Sequence, residues 1–142
     1  MIELATTIIT MVASAGLLVC WFRYACSLML TAQTTRDYTA TVTVAHQLSF
    51  LQVQSELREG TTADLDRMQA ALNRDFAVVT NIIGKAAGLE DRMLRINYRV
   101  MGYWCRMSRH FSRVAARQAL KEMCQMVAHC ANTMGERAAA AA

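Results

Sequence analysis

An all-α protein is predicted, with a single N-terminal transmembrane helix continuing into a helical hairpin or a three-helix, coiled-coil-like bundle. Three observations predict it. Proline is absent from all 142 residues, so the commonest helix breaker is missing from end to end. The run "LATTIITMVASAGLLVCWF", Leu4 to Phe22, is apolar and uncharged. Over the second half, apolar positions recur at gaps of three and four, which stacks side chains on one face of a helix.

Residues 1–30 form the expected anchor. Nineteen helical residues from Leu4 rise about 28 Å, enough to cross a hydrocarbon core. Trp21, Phe22 and Tyr24 follow at the level of the headgroups, with Arg23 able to snorkel between them. A cleaved signal peptide is the rival reading, because "ASA" at residues 13–15 resembles a cleavage site. The segment before it lacks a basic n-region and its apolar run is short. A buried soluble helix is the third reading. Glu3 lies on the short flank and Arg23 and Arg36 on the long one. The positive-inside rule then places the C-terminal part in the cytoplasm, or in the matrix of a mitochondrion. A bacterial or mitochondrial inner membrane is the expected location.

Inside the span, Thr6, Thr10 and Ser14 are four apart, with Ala13 and Gly16 beside them. Such a small, weakly polar stripe admits close approach of another membrane helix. The competing account is that the hydroxyls bond back to their own helix.

Residues 31–60 are expected as a helical extension, since no glycine interrupts the chain between Gly16 and Gly60. Its weak point is "YTATVTVA", Tyr38 to Ala45, where alternating β-branched residues suggest a strand. A lone strand would have no partner, so helix is favoured. Gly60 reads as a left-handed stop, followed by a threonine N-cap and the early acids Asp64 and Asp66.

Residues 61–137 are expected as a hairpin. Its first helix runs to about Ile83, with Leu65, Met68, Leu72, Phe76, Val79 and Ile83 forming a seam at gaps of 3, 4, 4, 3 and 4. Gly84 to Gly88 is a turn. A single helix from Leu89 to about Thr133, roughly 65 Å long, is expected next. Residues 138–142 are an alanine tail.

The formal charge of +4 is uneven: residues 1–60 sum to −1, 61–91 to −2 and 92–142 to +7. The basic residues of the last helix fall at helical spacing as one stripe, Arg92, Arg95, Arg99, Arg106, Arg109, Arg113, Arg117 and Lys121. Leu94, Met101, Trp104, Cys105, Phe111, Ala115, Ala119, Met123 and Met126 oppose it. Solvent and the chain's own acids could neutralise the stripe, as could an anionic membrane surface. Nucleic acid is a weaker expectation, because no groove-reading motif accompanies the charge. An acidic protein surface is favoured: seven of the eight residues are arginine, whose planar fork suits fixed bidentate pairing.

Five cysteines, an odd number in a helix-rich chain, point to reduced thiols rather than a disulfide scaffold. Cys105/His110 and Cys124/His129 repeat a five-residue step that leaves the two side chains about 140° apart on a helix. Neither pair can chelate one ion locally, and no metal or cofactor is expected. "NIIGKAAG" lacks both the upstream glycine and the Ser/Thr of a P-loop, and no catalytic signature occurs elsewhere. The expected function is therefore a non-catalytic accessory or structural subunit of a larger membrane protein complex. An energy-transducing host would suit by analogy alone. The subunit would dock through its transmembrane helix and its arginine-rich helix onto other integral membrane subunits, with anionic lipid headgroups as further partners and no small-molecule substrate. Alternatives are a membrane-tethered adaptor for nucleic acid or anionic lipid, and a redox subunit with a histidine-ligated cofactor.

Overall fold

The computed structural model describes residues 1–31, 37–60, 64–84 and 88–141. Among these residues it is all-α, with six helices and no strand: α1 (Ile2–Thr31), α2 (Thr39–His46), α3 (Phe50–Glu59), α4 (Leu65–Ile83), α5 (Leu89–Ser108) and α6 (Arg113–Ala141). The chain divides into two compact units, Met1–Ala32 and Gln33–Ala142.

The first unit is α1, which is long and apolar enough to span a membrane. Its hydroxyls are used locally. Thr6 Oγ1 donates to the Glu3 carbonyl at 2.9 Å and Thr10 Oγ1 to the Thr6 carbonyl at 2.8 Å. These back-bonds satisfy the polar groups within the helix itself.

The second unit is built around α6, against which α2, α3, α4 and α5 all pack. Ala116, Ala119, Leu120, Met123, Met126, Val127 and Ala131 of α6 are fully buried. The seam foreseen on α4 holds: Met68, Leu72, Phe76, Val79 and Ile83 are buried and Leu65 is half-buried. The stretch from Thr39 is helical, as α2, with Val42 buried where α2 packs on α6. Gly60 ends α3 in the left-handed conformation at φ 67°. The N-cap of α4 is Asp64, whose carboxylate accepts from the Asp66 N–H at 3.0 Å. The threonines expected in that role, Thr61 and Thr62, lie outside the described residues, as do Lys85 to Ala87 of the following turn.

The largest departure from expectation concerns the last helix. One continuous element from Leu89 to Thr133 was anticipated, whereas the chain reverses at residues 109–112 and α6 returns against α5. Two serines make this reversal without glycine or proline. Ser108 Oγ donates to the Trp104 carbonyl at 2.6 Å, and the Ser108 carbonyl accepts from the Phe111 and Ser112 N–H groups at 3.2 and 2.6 Å. Ser112 Oγ then accepts from the Ala115 N–H at 3.3 Å, capping the start of α6.

Buried polar groups fix which short helix meets which part of α6. The Tyr38 N–H donates to Asn132 Oδ1 at 2.7 Å, pinning the start of α2 to the far end of α6. There Gly135 allows the approach: an added Cβ would collide with Tyr38 Cβ and lie 2.9 Å from its Cγ. Asp75 of α4 is buried and accepts from the Ser49 N–H at 2.7 Å and from the Phe50 N–H, so a carboxylate from another helix caps α3. Burial pushes the Asp75 carboxyl above its usual range, although both backbone donors and Arg74 act in the opposite direction.

The packing makes predictions at three positions. Gly135→Ala should lower stability by about 1–2 kcal/mol, because overpacking against the root of the Tyr38 side chain outweighs the gain in helix propensity. Gly102→Ala, whose new Cβ would sit 3.6 Å from Gln69 Nε2, should instead raise it by about 0.5–1 kcal/mol. Urea unfolding of the second unit's helices, followed by circular dichroism in detergent, checks both signs. For Asp75, a folded pKa above the unfolded value means that its contribution is fully present below the unfolded pKa and is lost as pH rises through the folded one. Asp75→Asn should therefore be at least as stable as the native chain at pH 7, with the native chain gaining on it as pH falls toward 4. Asp75→Ala should lose about 1–3 kcal/mol at every pH, since it strands the N–H groups of Ser49 and Phe50.

Candidate functional site

The reversal at residues 109–112 distributes the basic stripe over two helices and over two environments. Arg92, Arg95, Arg99 and Arg106 lie on α5, Arg109 in the turn, and Arg113, Arg117 and Lys121 on α6.

Three of these residues turn toward the body of the protein. Arg109 pairs with Asp66 and donates to Gln69 Oε1, tying the turn to the first turns of α4. Arg95 is half-buried with its Nε shielded from solvent. Arg117, also half-buried, brings Nη2 to 3.7 Å from the position a Gly60 Cβ would take, beside the carbonyl end of α3, where a cation is favoured. At the other end of α5, Asp91 accepts from the Gly88 N–H at 3.1 Å and from Arg137 Nη2 at 3.0 Å, so this acid is used to close the N-terminus of α5 onto α6.

The other five, Arg92, Arg99, Arg106, Arg113 and Lys121, are exposed. Arg92, Arg99 and Arg106 are seven apart, so they form a nearly straight row along α5 with steps of about 10.5 Å. Their guanidinium groups make no ion pair or hydrogen bond among the described residues. Beside them runs a second row, Leu89, Ile96, Val100, Tyr103 and Met107, all exposed, with Tyr103 at 71% and Met107 at 54%. The opposite face of α5 supplies Leu94, Tyr98, Met101 and Cys105 to the core. Tyr98 stacks on Phe76 of α4 at 3.8 Å between ring centroids and donates its hydroxyl to Asn73 Oδ1 at 2.9 Å. The outward face of α5 is thus an apolar ridge edged by a row of free arginines.

Trp104 and Phe111, grouped above with the core-facing residues, are exposed and meet edge-on with centroids 6.0 Å apart. Phe111 lies in the turn that a wheel drawn for one continuous helix missed, and the capping pair Ser108 and Ser112 was the available signal of the break, whereas Trp104 is on α5 itself.

The residues weighed for metal or haem binding are dispersed. His46 and His110 are exposed at the end of α2 and in the α5–α6 turn, and His129 is half-buried in α6. Among the described residues no three His, Cys, Asp or Glu side chains come together as a metal site. Burial holds the His129 imidazole below its usual pKa despite Glu90, Asp91 and Glu136 nearby. Burial also raises the Cys105 thiol and pushes Cys124 and Cys130 up to about 12.

No protein family, characterised protein or solved structure matches the chain. Its functional reading therefore rests on these side chains.

The thiol environments make a direct prediction. At pH 8 a maleimide should leave Cys124 and Cys130 unmodified in the folded protein, because thiols pushed up to about 12 have almost no thiolate to react, and should spare the buried Cys105, whose thiol burial also raises. All three should become reactive in denaturant. Peptide mapping by mass spectrometry distinguishes this from uniform labelling.

Proposed function

We propose that the protein is a non-catalytic accessory subunit of a larger membrane assembly, anchored by α1 and resting its helical body on the anionic leaflet through the outward face of α5. The observation that carries this reading is the pairing of the exposed row Leu89, Ile96, Val100, Tyr103 and Met107 with the unneutralised row Arg92, Arg99 and Arg106. An apolar ridge edged by cations matches the layering of a membrane surface, with headgroup phosphates outside and hydrocarbon beneath. Tyr103 and Trp104 carry the amphipathic rings that favour that layer.

The anchor supports the rest of the reading. α1 is free of acidic and basic residues between Glu3 and Arg23, and its large side chains are exposed from Ile2 to Val19. In a bilayer that surface is available to lipid or to other spans, and Ala13, Ser14 and Gly16 offer a shallow place for another helix. The positive-inside rule puts the second unit on the cytoplasmic or matrix side. Integral membrane subunits are the partners this reading requires.

Extraction of native membranes in a mild maltoside, followed by sizing and mass spectrometry across a salt series, is the test. Co-migration with the same integral membrane proteins at 0.05 and 0.5 M salt is expected, since contacts within the bilayer are apolar and resist screening. Recovery as a lone small particle at both salt concentrations would refute the accessory-subunit reading and leave a solitary tether.

A further inference from the structure

Between α4 and the outward face of α5 lies a cleft of about 270 Å³, lined by Asn73, Tyr98, Arg99, Gly102, Tyr103 and Arg106 and closed on one side by Gln69. Gly102 forms part of its wall, where an added Cβ would lie 3.6 Å from Gln69 Nε2, and Arg99 and Arg106 stand one turn on either side of it. The wall is already satisfied: Gln69 Nε2 donates to the Gly102 carbonyl at 3.1 Å and its Oε1 accepts from Arg109. The donors that remain belong to the mouth. Asn73 Oδ1 accepts from Tyr98, and neither the Asn73 amide N–H groups nor the guanidinium groups of Arg99 and Arg106 have a partner among the described residues. No carboxylate is among the lining residues. Two forks and an amide converging without an acid are a receptor for a tetrahedral oxyanion.

The cleft does not stand alone. Tyr103 and Arg106 also line a second, shallower groove of about 520 Å³, whose other walls are Val100, Trp104, Met107 and His110. This groove is mostly apolar, so an anionic recess and an apolar trough meet at one tyrosine and one arginine. A free phosphate would fill the first and leave the second exposed to water. An amphiphile fills both, and burying its chain along Val100, Trp104 and Met107 adds apolar contact that no inorganic anion supplies.

We propose that this composite site binds one anionic phospholipid, its phosphate between Arg99 and Arg106 and an acyl segment along Val100, Trp104 and Met107. The proposal rests on the membrane-surface reading above and sharpens it: α5 recognises a particular class of headgroup rather than lying on the leaflet by charge alone. A zwitterionic headgroup is disfavoured because its ammonium adds a positive charge beside two guanidinium groups that a single phosphate only half neutralises.

The two tryptophans of the chain make the test accessible. Trp21→Phe in the full-length protein leaves Trp104, on the wall of the groove, as the sole indole. In maltoside micelles doped with lipids brominated in the acyl chain, phosphatidylglycerol should quench Trp104 at about one-tenth the mole fraction that phosphatidylcholine requires. The double variant Arg99→Gln/Arg106→Gln should lose this preference, while Arg113→Gln, an exposed cation on α6, should keep it. Circular dichroism verifies that each variant is folded. Equal quenching by the two lipids in the unsubstituted background, or a preference that survives the double substitution, would overturn the proposal. So would tight binding of glycerol 3-phosphate without preferential quenching by brominated phosphatidylglycerol, which would assign the cleft to a soluble phosphate ester. These readings are made on the isolated chain, so they are independent of whether an integral partner co-purifies.

Discussion

The second unit depends on one constraint, the enclosure of α6. A helix buried on most of its circumference must let four neighbours approach, and residue size along α6 shows how this is met. Alanines at 116, 119 and 131 are fully buried and glycine at 135 admits the Tyr38 side chain, while Leu120, Met123, Met126 and Met134 supply the larger buried side chains. Methionine suits such positions because its unbranched, polarizable chain adapts to irregular space. Apolar packing alone would not determine the order of α2, α3 and α4 around such a helix. The buried polar groups do so: Asn132 takes the start of α2, Asp75 takes the start of α3, and Asn97 of α5 donates to Met126 Sδ at 3.5 Å. Each is satisfied in this arrangement and would be stranded by a slip of one helix, which is how a minority of polar contacts selects one packing from many.

Enclosing α6 also decides what α5 has left to offer. Its inward face, Leu94, Tyr98, Met101 and Cys105, is absorbed by α6 and α4. The arginines are then sorted by position. Arg109 is used within the unit, by Asp66 and Gln69. The ion pair itself is weak because Asp66 is exposed, so the anchoring of the turn rests mainly on the hydrogen bond to the buried Gln69. The outward row has no such partner among the described residues. Its three guanidinium groups flank apolar side chains, and that combination is what an interface with a layered, anionic surface requires.

How much of this was legible in the sequence follows from the kind of signal each element carries. The seam of α4 was readable from residue 65 to residue 83 because its spacing never slips and the helix has one buried side. α1 was readable because nineteen residues pass without a charge. The reversal after Ser108 was harder to read, because its signal is two serines, and serine also occurs on exposed helix faces, where it marks no end. Once the break is missed, a continuous helical wheel adds the faces of two antiparallel helices together. Phe111 then falls on the same side as Cys105 and Ala119, although in the folded chain it is exposed and they are buried. Gly102 was equally silent. A glycine inside a helix reads as a modest loss of propensity, and only the position of α4 across from it makes it part of the wall of a cleft.

The break also changes which acidic partner the charge can match. Eight cations along a single rod of about 65 Å would have followed an extended polyanion, with one phosphate contact after another and a steep dependence on salt. Folded back, the exposed row from Arg92 to Arg106 covers about 21 Å, and the exposed cations of α6 belong to a separate helix. So short a row neutralises few backbone phosphates, and the apolar side chains beside it would meet only the hydrated groove of a nucleic acid duplex. A lipid headgroup layer reverses both terms: phosphates recur in two dimensions within reach of the row, and the apolar ridge enters the acyl boundary rather than water. The shorter stripe is therefore the stronger argument for a membrane surface.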